Sequence, residues 1–292
     1  MSTRVPTQIE QEWRGEPARA LIALHARRSA DSIARFREAF QQGPIALVLT
    51  GTDIYRDIDS DAAARHSLRC ADHLVVLQKQ ALQRLSEGDR AKARVIVQSA
   101  SGLLCGDKSE QSFDFIAIGH LREEKDPLTL MGAARLLTGL AGIRILHVGT
   151  ALSDELGRAA LETQDSCAHY RWLGGLPQPA ARRRLARSRV LVHMSRLEGG
   201  ANVIAEALRS RVPVLASRID GNVGLLGAGY DGYFEAGDAS ALAALIRQVV
   251  EQPSFYCHLQ AQCLLLEPLF RPAREATAVR KLVADMLAGP SR

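Results

Sequence analysis

Short aliphatic runs alternate with amphipathic stretches along almost the whole chain, and this rhythm most limits how the chain can fold. A short apolar run, a polar loop and a helical stretch, repeated many times, are typical of parallel sheets with helices on both faces. The predicted class is therefore α/β, with doubly wound sheets. The predicted strands span residues 20–24, 45–49, 73–77, 94–97, 113–118, 143–148, 170–173, 190–193 and 214–216.

A polar stretch at residues 106–112, GDKSEQS, interrupts this rhythm and is the predicted linker. The alternation of strands and helices restarts after it. This predicts two domains, residues 1–108 and residues 109–270, followed by a terminal segment of residues 271–292. The helices expected in the first domain span residues 29–40, 60–70 and 79–87.

The chain becomes wholly helical from Pro253 onward, and residues 272–287 predict an amphipathic helix. The apolar face expected for this last helix consists of Ala276, Val279, Leu282, Val283 and Met286.

Length and composition exclude several classes of protein. The 292 residues, 47% of them apolar, suffice for two cores, which excludes a disordered or fibrous protein. No apolar run reaches the roughly 18 to 20 residues that cross a bilayer, and the start lacks the apolar centre of a signal peptide. A cytoplasmic protein without a membrane partner is predicted. No D-x-D pair follows a predicted strand, so no bound metal is expected.

The cysteines are odd in number, scattered and without C-x-x-C spacing, so they are interpreted as reduced thiols, mostly within the core. They are Cys70, Cys105, Cys167, Cys257 and Cys263.

A net charge of +5, from 37 basic and 32 acidic side chains, would fit a nucleic-acid-binding protein. The basic residues are spread along the chain, however, and few aromatic side chains lie between them to stack on bases. No nucleic-acid partner is predicted. The densest cluster, residues 182–184 with Arg187 and Arg189, is either a solvated surface or part of a site for a phosphate-bearing small substrate.

Residues 195–222, SRLEGGANVIAEALRSRVPVLASRIDGN, carry the clearest chemistry. Gly199 and Gly200 allow close approach of a ligand, and the helix they open offers free N–H groups to an anion such as a diphosphate. Glu206, within that helix, is suited to accept hydrogen bonds from a vicinal diol such as a ribose. Glu198 lies eight positions earlier, before the helix. The structural alternative is that the helix dipole alone favours a glutamate near its start.

This segment resembles the donor-site signature of family 4 glycosyltransferases, two glutamates separated by seven residues. The resemblance implies the GT-B fold, in which two Rossmann-like domains face a cleft. Residues 1–108 would form the acceptor side and residues 109–270 the sugar-nucleotide side. It also implies that the final helix crosses back to the first domain and buries Ala276, Val279, Val283 and Met286 there.

The same resemblance implies roles for individual residues. Glu206 is expected to bind the nucleotide ribose, and Glu198 to hold the donor sugar together with the amides of Gly199 and Gly200. The base is expected to be held by the backbone of Arg171, Trp172 and Leu173.

Residues 119–127, GHLREEKDP, match the family's strand-to-helix loop that delivers cations to the diphosphate. Lys125 falls on the family lysine. His120 stands where the family has an arginine, and Arg122 lies two residues later. The second cation is therefore either His120 or Arg122.

Five segments spread over nearly all of the chain are similar to the selenosugar synthases of selenoneine biosynthesis. This resemblance implies transfer of a sugar from a UDP-sugar, with UDP-N-acetylglucosamine the expected donor, to the selenium of selenophosphate. It implies retention of configuration without an obligatory protein nucleophile. The UDP-sugar is a substrate, so no cofactor is expected. The segments are LIALHARRS at 21–29, LTGTDIYRDI at 49–58, GHLREEKDP at 119–127, YRWLG at 170–174 and ASRIDGNVGLLGAGYDGYF at 216–234.

The acceptor side departs from ordinary family 4 enzymes. The loop that carries a histidine near the donor sugar in the family consists here of Thr50, Gly51, Thr52 and Asp53, with Thr50 in the histidine's place. Such small groups would make room for a compact anion. Asp53 is either a ligand of the acceptor or a turn or N-cap residue.

Candidate cations for that acceptor are Arg27, Arg28 and Arg56, for which a surface role is nearly as well supported. His25 is a further candidate, although a histidine at the end of a strand is more often structural.

Other functions remain open at this point. They are a UDP-sugar transferase with another small acceptor, a non-catalytic sugar-nucleotide-binding protein of GT-B shape and a sugar-nucleotide epimerase. A dinucleotide oxidoreductase is disfavoured because no G-x-G-x-x-G joins a predicted strand to a helix. The oligomeric state is left open.

Family members open with a strand, a glycine-rich loop and a helix, which this chain does not contain, and residues 3–13 resemble the family's second strand and the residues after that strand. We expect that the true start lies upstream of Met1 or that the chain is a defective version. Without that segment the protein is expected to bind UDP-sugar through its second domain and turn over poorly.

Overall fold

Two parallel β-sheets with helices packed on them make up the computed structural model, which describes residues 5–103 and 108–288. A sheet of four strands is followed along the chain by a sheet of six. Neighbouring strands run parallel throughout both sheets. The α/β prediction is confirmed.

All nine predicted strands are present, and a two-residue strand, β10, was not predicted. The strands are β1 (Leu21–Leu24), β2 (Ile45–Leu49), β3 (His73–Val76), β4 (Ala93–Val95), β5 (Phe113–Ile118), β6 (Ile143–Val148), β7 (Tyr170–Trp172), β8 (Val190–His193), β9 (Val214–Ser217) and β10 (Tyr233–Phe234).

Helices cover most of the chain between the strands. They are α1 (Ala30–Ala39), α2 (Ile58–Ser60), α3 (Ala62–Cys70), α4 (Glu87–Ala91), α5 (Pro127–Leu136), α6 (Asp154–Ser166), α7 (Gln178–Arg187), α8 (Asn202–Arg209), α9 (Asp220–Leu226), α10 (Ala239–Glu251), α11 (Pro253–Leu266) and α12 (Pro272–Ala288). A π-helical turn at Asp53–Asp57 and 3₁₀ turns at Lys79–Arg84, Glu123–Lys125 and Glu267–Phe270 complete the helical segments.

The single helix predicted at residues 79–87 is wrong. A 3₁₀ turn ends at Arg84, and α4 begins separately at Glu87. The reason is capping, because the Ser86 hydroxyl oxygen accepts a hydrogen bond from the N–H of Asp89 and so starts a new helix.

The first sheet has the order β1-β2-β3-β4. Its core lies between the central strands and the helices, where Ile45, Leu47 and Phe36 are fully buried. β1 forms an edge, and its Ile22 and Leu24 are 42% and 61% exposed.

The segment before β1 differs from its prediction. Residues 5–20 form no strand, so the strand-like interpretation of residues 3–13 is wrong for the part that the structure describes; residues 3 and 4 lie outside it. Trp13 instead packs on α1, with its ring centroid 5.3 Å from that of Phe36 and 6.1 Å from that of Phe40. This aromatic contact holds the segment against a helix and away from the sheet edge.

The second sheet has the order β10-β9-β8-β5-β6-β7. The chain builds outward from β5 in one direction through β6 and β7, then returns to place β8 on the other side of β5. The loops that follow β5 and β8 therefore leave the sheet side by side and in opposite directions. Such a switch point is where open α/β sheets bind ligands.

The last helix, α12, packs on the first sheet. Leu282 and Met286 are buried in a cluster with Ala46, Val75 and Ile96. The predicted apolar face is partly wrong. Val279 is 36% exposed, and Ala276 and Val283 are only half-buried. The row that packs on the first sheet runs through half-buried Ala278 and buried Leu282 and Met286, spaced four apart on one side of the helix.

Among the helices of the described residues, none combines the length and apolarity needed to cross a bilayer. Of the cysteines in those ranges, Cys167 and Cys263 are buried, Cys70 is half-buried and Cys257 is exposed. The prediction that the cysteines lie in the core therefore holds for Cys167 and Cys263, and Cys105 lies outside the described residues. Positions 106 and 107 of the predicted linker also lie outside them.

Candidate functional site

The crevice at the switch point is bounded by residues from both sheets. The loops after β5 and β8 form its floor. The first sheet contributes the loop after β2, because a Cβ added to Gly51 would lie only 3.2 Å from the backbone nitrogen of Gly199. A Cβ on Gly200 would lie 2.7 Å from the Cβ of Leu77. The structure thus brings together two loops that the sequence singled out, residues 50–53 and residues 198–200.

Glu198 is a carboxylate of the crevice with three polar side chains around it. Its Oε1 atom accepts hydrogen bonds from the Lys125 ammonium and, at 2.8 Å, from the Ser195 hydroxyl. The Nε2 atom of buried His193 lies 3.5 Å from the same oxygen. Burial alone would raise the pKa of Glu198. His193 and Lys125 outweigh that effect and hold the pKa well below its ordinary value.

Sequence reasoning found Glu198 and Lys125 but missed His193 and Ser195. His193 ends β8 within the run VLVH, where the apolar pattern predicts a core position. The only available signal was its polarity in such a run. The sequence predicts no role for Ser195 beyond its place as the first residue of the motif.

Lys125 ends the 3₁₀ turn of the loop after β5. The next residue, Asp126, has left-handed backbone geometry with φ of 47°. Its carboxylate accepts a hydrogen bond from the Thr129 hydroxyl at 2.7 Å and lies 3.0 Å from the Nε of Arg196. These contacts fix the turn and point Lys125 at Glu198. The other two candidate cations of this loop, His120 and Arg122, are exposed.

The helix α8 begins at Asn202, two residues after the glycine pair rather than directly at it. Glu206 lies inside α8 and is 9% exposed. Burial raises its pKa above the ordinary value, and the Arg182 guanidinium and the Gln178 side chain oppose that rise. The Nε atom of Arg182 is 3.4 Å from Glu206 Oε1.

The segment predicted to hold the base lies at the edge strand β7 and just after it. The Trp172 N–H donates to Gln164 Oε1 at 3.0 Å, and the Leu173 N–H donates to the His147 carbonyl oxygen at 2.8 Å. These two N–H groups are engaged within the protein. A base at Arg171–Leu173 would therefore use other backbone atoms.

Of the two interpretations of Asp53, a ligand of the acceptor or a turn residue, its contacts support the second. It is fully buried, and its carboxylate accepts hydrogen bonds at 2.7 to 3.1 Å from the N–H groups of Ala26, Thr50, Gly51 and Ile54. A carboxylate with four backbone donors has little capacity left for a ligand. Asp53 instead ties the loop after β1 to the loop after β2.

His25 lies beside this loop with a left-handed backbone, φ of 71°. Its Nδ1 faces the N–H of Arg28 at 3.4 Å, and its Nε2 lies 3.0 Å from the Thr52 hydroxyl. With Nδ1 as acceptor, Nε2 carries the proton and donates to Thr52. The Thr52 hydroxyl then keeps its own proton for another acceptor.

Two of the three candidate arginines share a carboxylate that sequence reasoning missed. Arg27 Nε and Arg56 Nε lie 3.4 and 3.5 Å from the buried carboxylate of Asp57. Arg56 also reaches across the crevice, with its Nη1 3.7 Å from Glu124 Oε1. Arg28 is exposed. Asp57 follows Asp53 by four residues, which was the available signal for a second carboxylate on the same turn.

The arginine cluster of α7 divides between two places. Arg182 faces Glu206, whereas Arg184 and Arg187 line a cavity of about 360 Å³ together with Arg144. Asp114 and Arg144 line it as the second residues of β5 and β6, so this cavity is at the amino ends of these strands, opposite the crevice. No group of three or more His, Cys, Asp or Glu side chains in the described ranges is arranged to hold a metal ion.

Comparison with known proteins gives the family. The family model described as glycosyl transferases group 1 matches residues 106–263, more than half of the chain. This range includes Lys125, Glu198 and Glu206. The chain belongs to the group 1 glycosyl transferases. No curated protein sequence matches it significantly.

Solved structures place this glycosyl transferase in the GT-B fold with its two Rossmann-like domains. Sucrose-phosphate synthase from Thermosynechococcus elongatus is 18% identical with a TM-score of 0.76, and the match covers 92% of this chain and 74% of that one. Anabaena HepE in complex with UDP and glucose is 16% identical with a TM-score of 0.73, covering 90% and 78%. A variant of S. aureus TarM in complex with fondaparinux, alpha-GlcNAc-glycerol and UDP is 15% identical with a TM-score of 0.73.

The TarM match covers 91% of this chain but only 55% of TarM, so this glycosyl transferase spans little more than half of that protein's length. Identities at this level show a shared fold.

Proposed function

We propose that this glycosyl transferase binds a UDP-sugar in the crevice between its two sheets and transfers the sugar to a small acceptor. The observation that carries the proposal is the pairing of Lys125 with Glu198 at the switch point, since the motifs assign these residues to diphosphate and sugar. The family membership of the chain supports it. So do the structures of TarM and HepE, which contain UDP.

In this proposal Lys125 binds the diphosphate. Its charge matters most as the bond between the anomeric carbon and the diphosphate oxygen breaks and negative charge develops on the departing UDP. Arg122 and His120 are the candidates for a second cation. Both are exposed on the same loop and can adjust to a ligand.

The remaining donor contacts in this proposal are those that the family motif implies. Glu198, with the amides of Gly199 and Gly200, holds hydroxyls of the sugar. Glu206 accepts hydrogen bonds from the ribose hydroxyls, and the base lies along Arg171–Leu173.

We propose retention of configuration, with the acceptor atom bonding to the anomeric carbon on the face that UDP leaves. Glu198 is already bound by Lys125 and Ser195, which favours a binding role for it over that of a nucleophile.

The acceptor that we propose is selenophosphate, whose selenium forms the new bond as UDP departs. The support is the resemblance of five segments to selenosugar synthases and the compact loop at residues 50–53, flanked by arginines. Arg28, exposed on the loop after β1 that Asp53 ties to residues 50–53, is the candidate cation not already shared with Asp57.

A second candidate is a small acceptor with a hydroxyl group. It is favoured by Asp57, because this carboxylate neutralises part of the charge of Arg27 and Arg56 that an anionic acceptor would need. The Thr52 hydroxyl, which is hydrogen-bonded to His25, would then donate to the neutral hydroxyl oxygen of this acceptor.

UDP release from UDP-N-acetylglucosamine tests both candidates, with selenophosphate, thiophosphate, phosphate or a sugar alcohol as acceptor. Release that requires selenophosphate supports the first candidate, and release with the sugar alcohol supports the second. Calorimetric binding of UDP-N-acetylglucosamine without release for any acceptor would support a sensor and contradict the transferase. Conversion of the donor without any acceptor would indicate an epimerase.

A further inference from the structure

Arg182 is the member of the α7 arginine cluster that reaches the candidate site. Its Nε atom lies 3.4 Å from Glu206 Oε1, and the Glu206 side chain is only 11% exposed. The next two arginines of the same helix, Arg183 and Arg184, are exposed. Within this cluster Arg182 contacts the buried Glu206 carboxylate, whereas Arg183 and Arg184 do not contact it.

The same guanidinium also contacts the chain segment that joins the two sheets. Arg182 Nη2 donates a hydrogen bond to the carbonyl oxygen of Ser101. The end of α8 holds this segment as well, because Arg209 Nε donates to the Ala100 carbonyl oxygen at 3.1 Å. The N–H of Leu103 donates to the hydroxyl of Ser210 at 3.4 Å. With Ser101 as a second anchor, the orientation of Arg182 toward Glu206 is fixed from two sides.

We infer that Arg182 is a positioning residue for the nucleotide, which keeps the Glu206 carboxylate charged and in one orientation for the two ribose hydroxyls. The inference rests on the proposed function, in which Glu206 binds the ribose. Only the ionised carboxylate accepts from both hydroxyls without donating a proton of its own. Burial favours the neutral acid by raising the pKa of Glu206, and the adjacent guanidinium favours the charged form.

The test compares UDP with 2′-deoxy-UDP by calorimetry, because the two probes differ by one ribose hydroxyl. A hydroxyl bound to a charged acceptor is worth about tenfold in Kd, so the wild-type protein should prefer UDP by that ratio. Arg182→Gln should weaken UDP binding by roughly three- to tenfold and reduce the ratio between the probes. Arg183→Gln, the same substitution on the exposed face, is the matched control and should behave as wild type.

The pH profile separates positioning from a general effect on folding. Affinity for UDP falls as the pH drops through the pKa of Glu206, since the protonated acid loses an acceptor site. Arg182→Gln raises that pKa further, so the preference for UDP is lost at a higher pH than in wild type. The ratio between the two probes cancels the titration of the diphosphate, which they share. Arg182→Lys keeps the charge and should restore the profile.

Each outcome decides one point. Equal ratios and equal pH profiles for Arg182→Gln and Arg183→Gln overturn the inference. A ratio that is unchanged in Glu206→Gln shows that Glu206 does not bind the ribose, and the inference fails with that assignment. A ratio lost in Glu206→Gln but kept in Arg182→Gln overturns the role of Arg182 alone. If Arg182→Gln does not fold, Arg182→Met takes its place, and a probe ratio and pH profile equal to those of Arg183→Gln overturn the inference.

Discussion

Among the described residues Lys125 has one carboxylate partner, and in the proposed reaction it has a diphosphate partner whose charge grows as UDP departs. We predict that Lys125→Ala lowers kcat by about 100-fold or more, while the Kd for UDP rises by roughly tenfold at most. UDP release at saturating donor and calorimetry with UDP measure the two effects. Lys281→Ala, at a lysine that is 75% exposed on α12, is the control. An unchanged kcat in Lys125→Ala would assign the diphosphate to another cation.

Asp53 stabilises the first domain through its four backbone donors. We predict that Asp53→Ala lowers the free energy of unfolding by at least about 3 kcal/mol, because buried N–H groups lose their acceptor at about 1 to 3 kcal/mol each. Urea denaturation measures the change. Asp59→Ala, at a side chain that is 59% exposed, should change stability by about 0.5 kcal/mol or less. Similar small effects for both variants would contradict the structural role.

For single residues, the sequence predicted which side chains belong to the site better than it predicted which groups they contact. The resemblance to the family's motifs identified Lys125 and Glu198, which lie 73 positions apart and meet in the structure. It could not distinguish Asp53 from Asp57, because the donors that saturate Asp53 come from backbone N–H groups of two separate loops. It missed His193 because an alternating or apolar strand pattern does not show which polar end residue faces a carboxylate.

The helix α12 stabilises the first sheet through one row of side chains. We predict that Leu282→Ala and Met286→Ala each lower the free energy of unfolding by about 2 to 5 kcal/mol, as expected for large-to-small changes at buried sites. Val279→Ala, at a residue that is 36% exposed on the same helix, should cost less than about 1 kcal/mol. Denaturant titration of the three variants measures these differences. A larger loss of stability in Val279→Ala than in Leu282→Ala would show that Val279 lies on the buried face, as the sequence predicts.

The close approach of the loops after β2 and β8 depends on glycine. A Cβ at position 199 would overlap the backbone of Thr50, so Gly199→Ala requires one loop to move. We predict a loss of about 1 to 3 kcal/mol in stability together with reduced UDP release, since the crevice is bounded by these two loops. Gly88→Ala is the control, because a Cβ there meets nothing within 4 Å. Equal melting temperatures for the two variants would show that the loops separate without cost.

Strands and helices were predicted well where the local sequence pattern determines them. They were predicted poorly where packing against another element determines them. Apolar runs predict nine of the ten strands in the described residues. β10 escaped because Tyr233–Phe234 gains its strand geometry only by pairing with Ala216 and Ser217. The predicted face of α12 is partly wrong because the contacts with the first sheet run through Ala278, Leu282 and Met286, and the position of that row depends on the sheet.

At the scale of the whole molecule, the restart of the strand and helix rhythm predicted two sheets. The switch point between β5 and β8 follows from their order in the second sheet. The contact between Gly51 and Gly199 was not predictable, since no periodicity relates loops of different sheets. The ion pair between Arg56 and Glu124 across the crevice was not predictable for the same reason.

The pairing of Lys125 with Glu198 makes ligand binding an exchange of counter-ions rather than the neutralisation of a bare cation. In the proposed reaction an incoming diphosphate displaces Glu198, which Ser195 also binds, from Lys125, so the loss of that ion pair offsets part of the attraction between the diphosphate and Lys125. A ligand with more than one negative charge therefore gains more from this exchange than a singly charged anion. Added salt weakens both the resident ion pair and the attraction of the diphosphate.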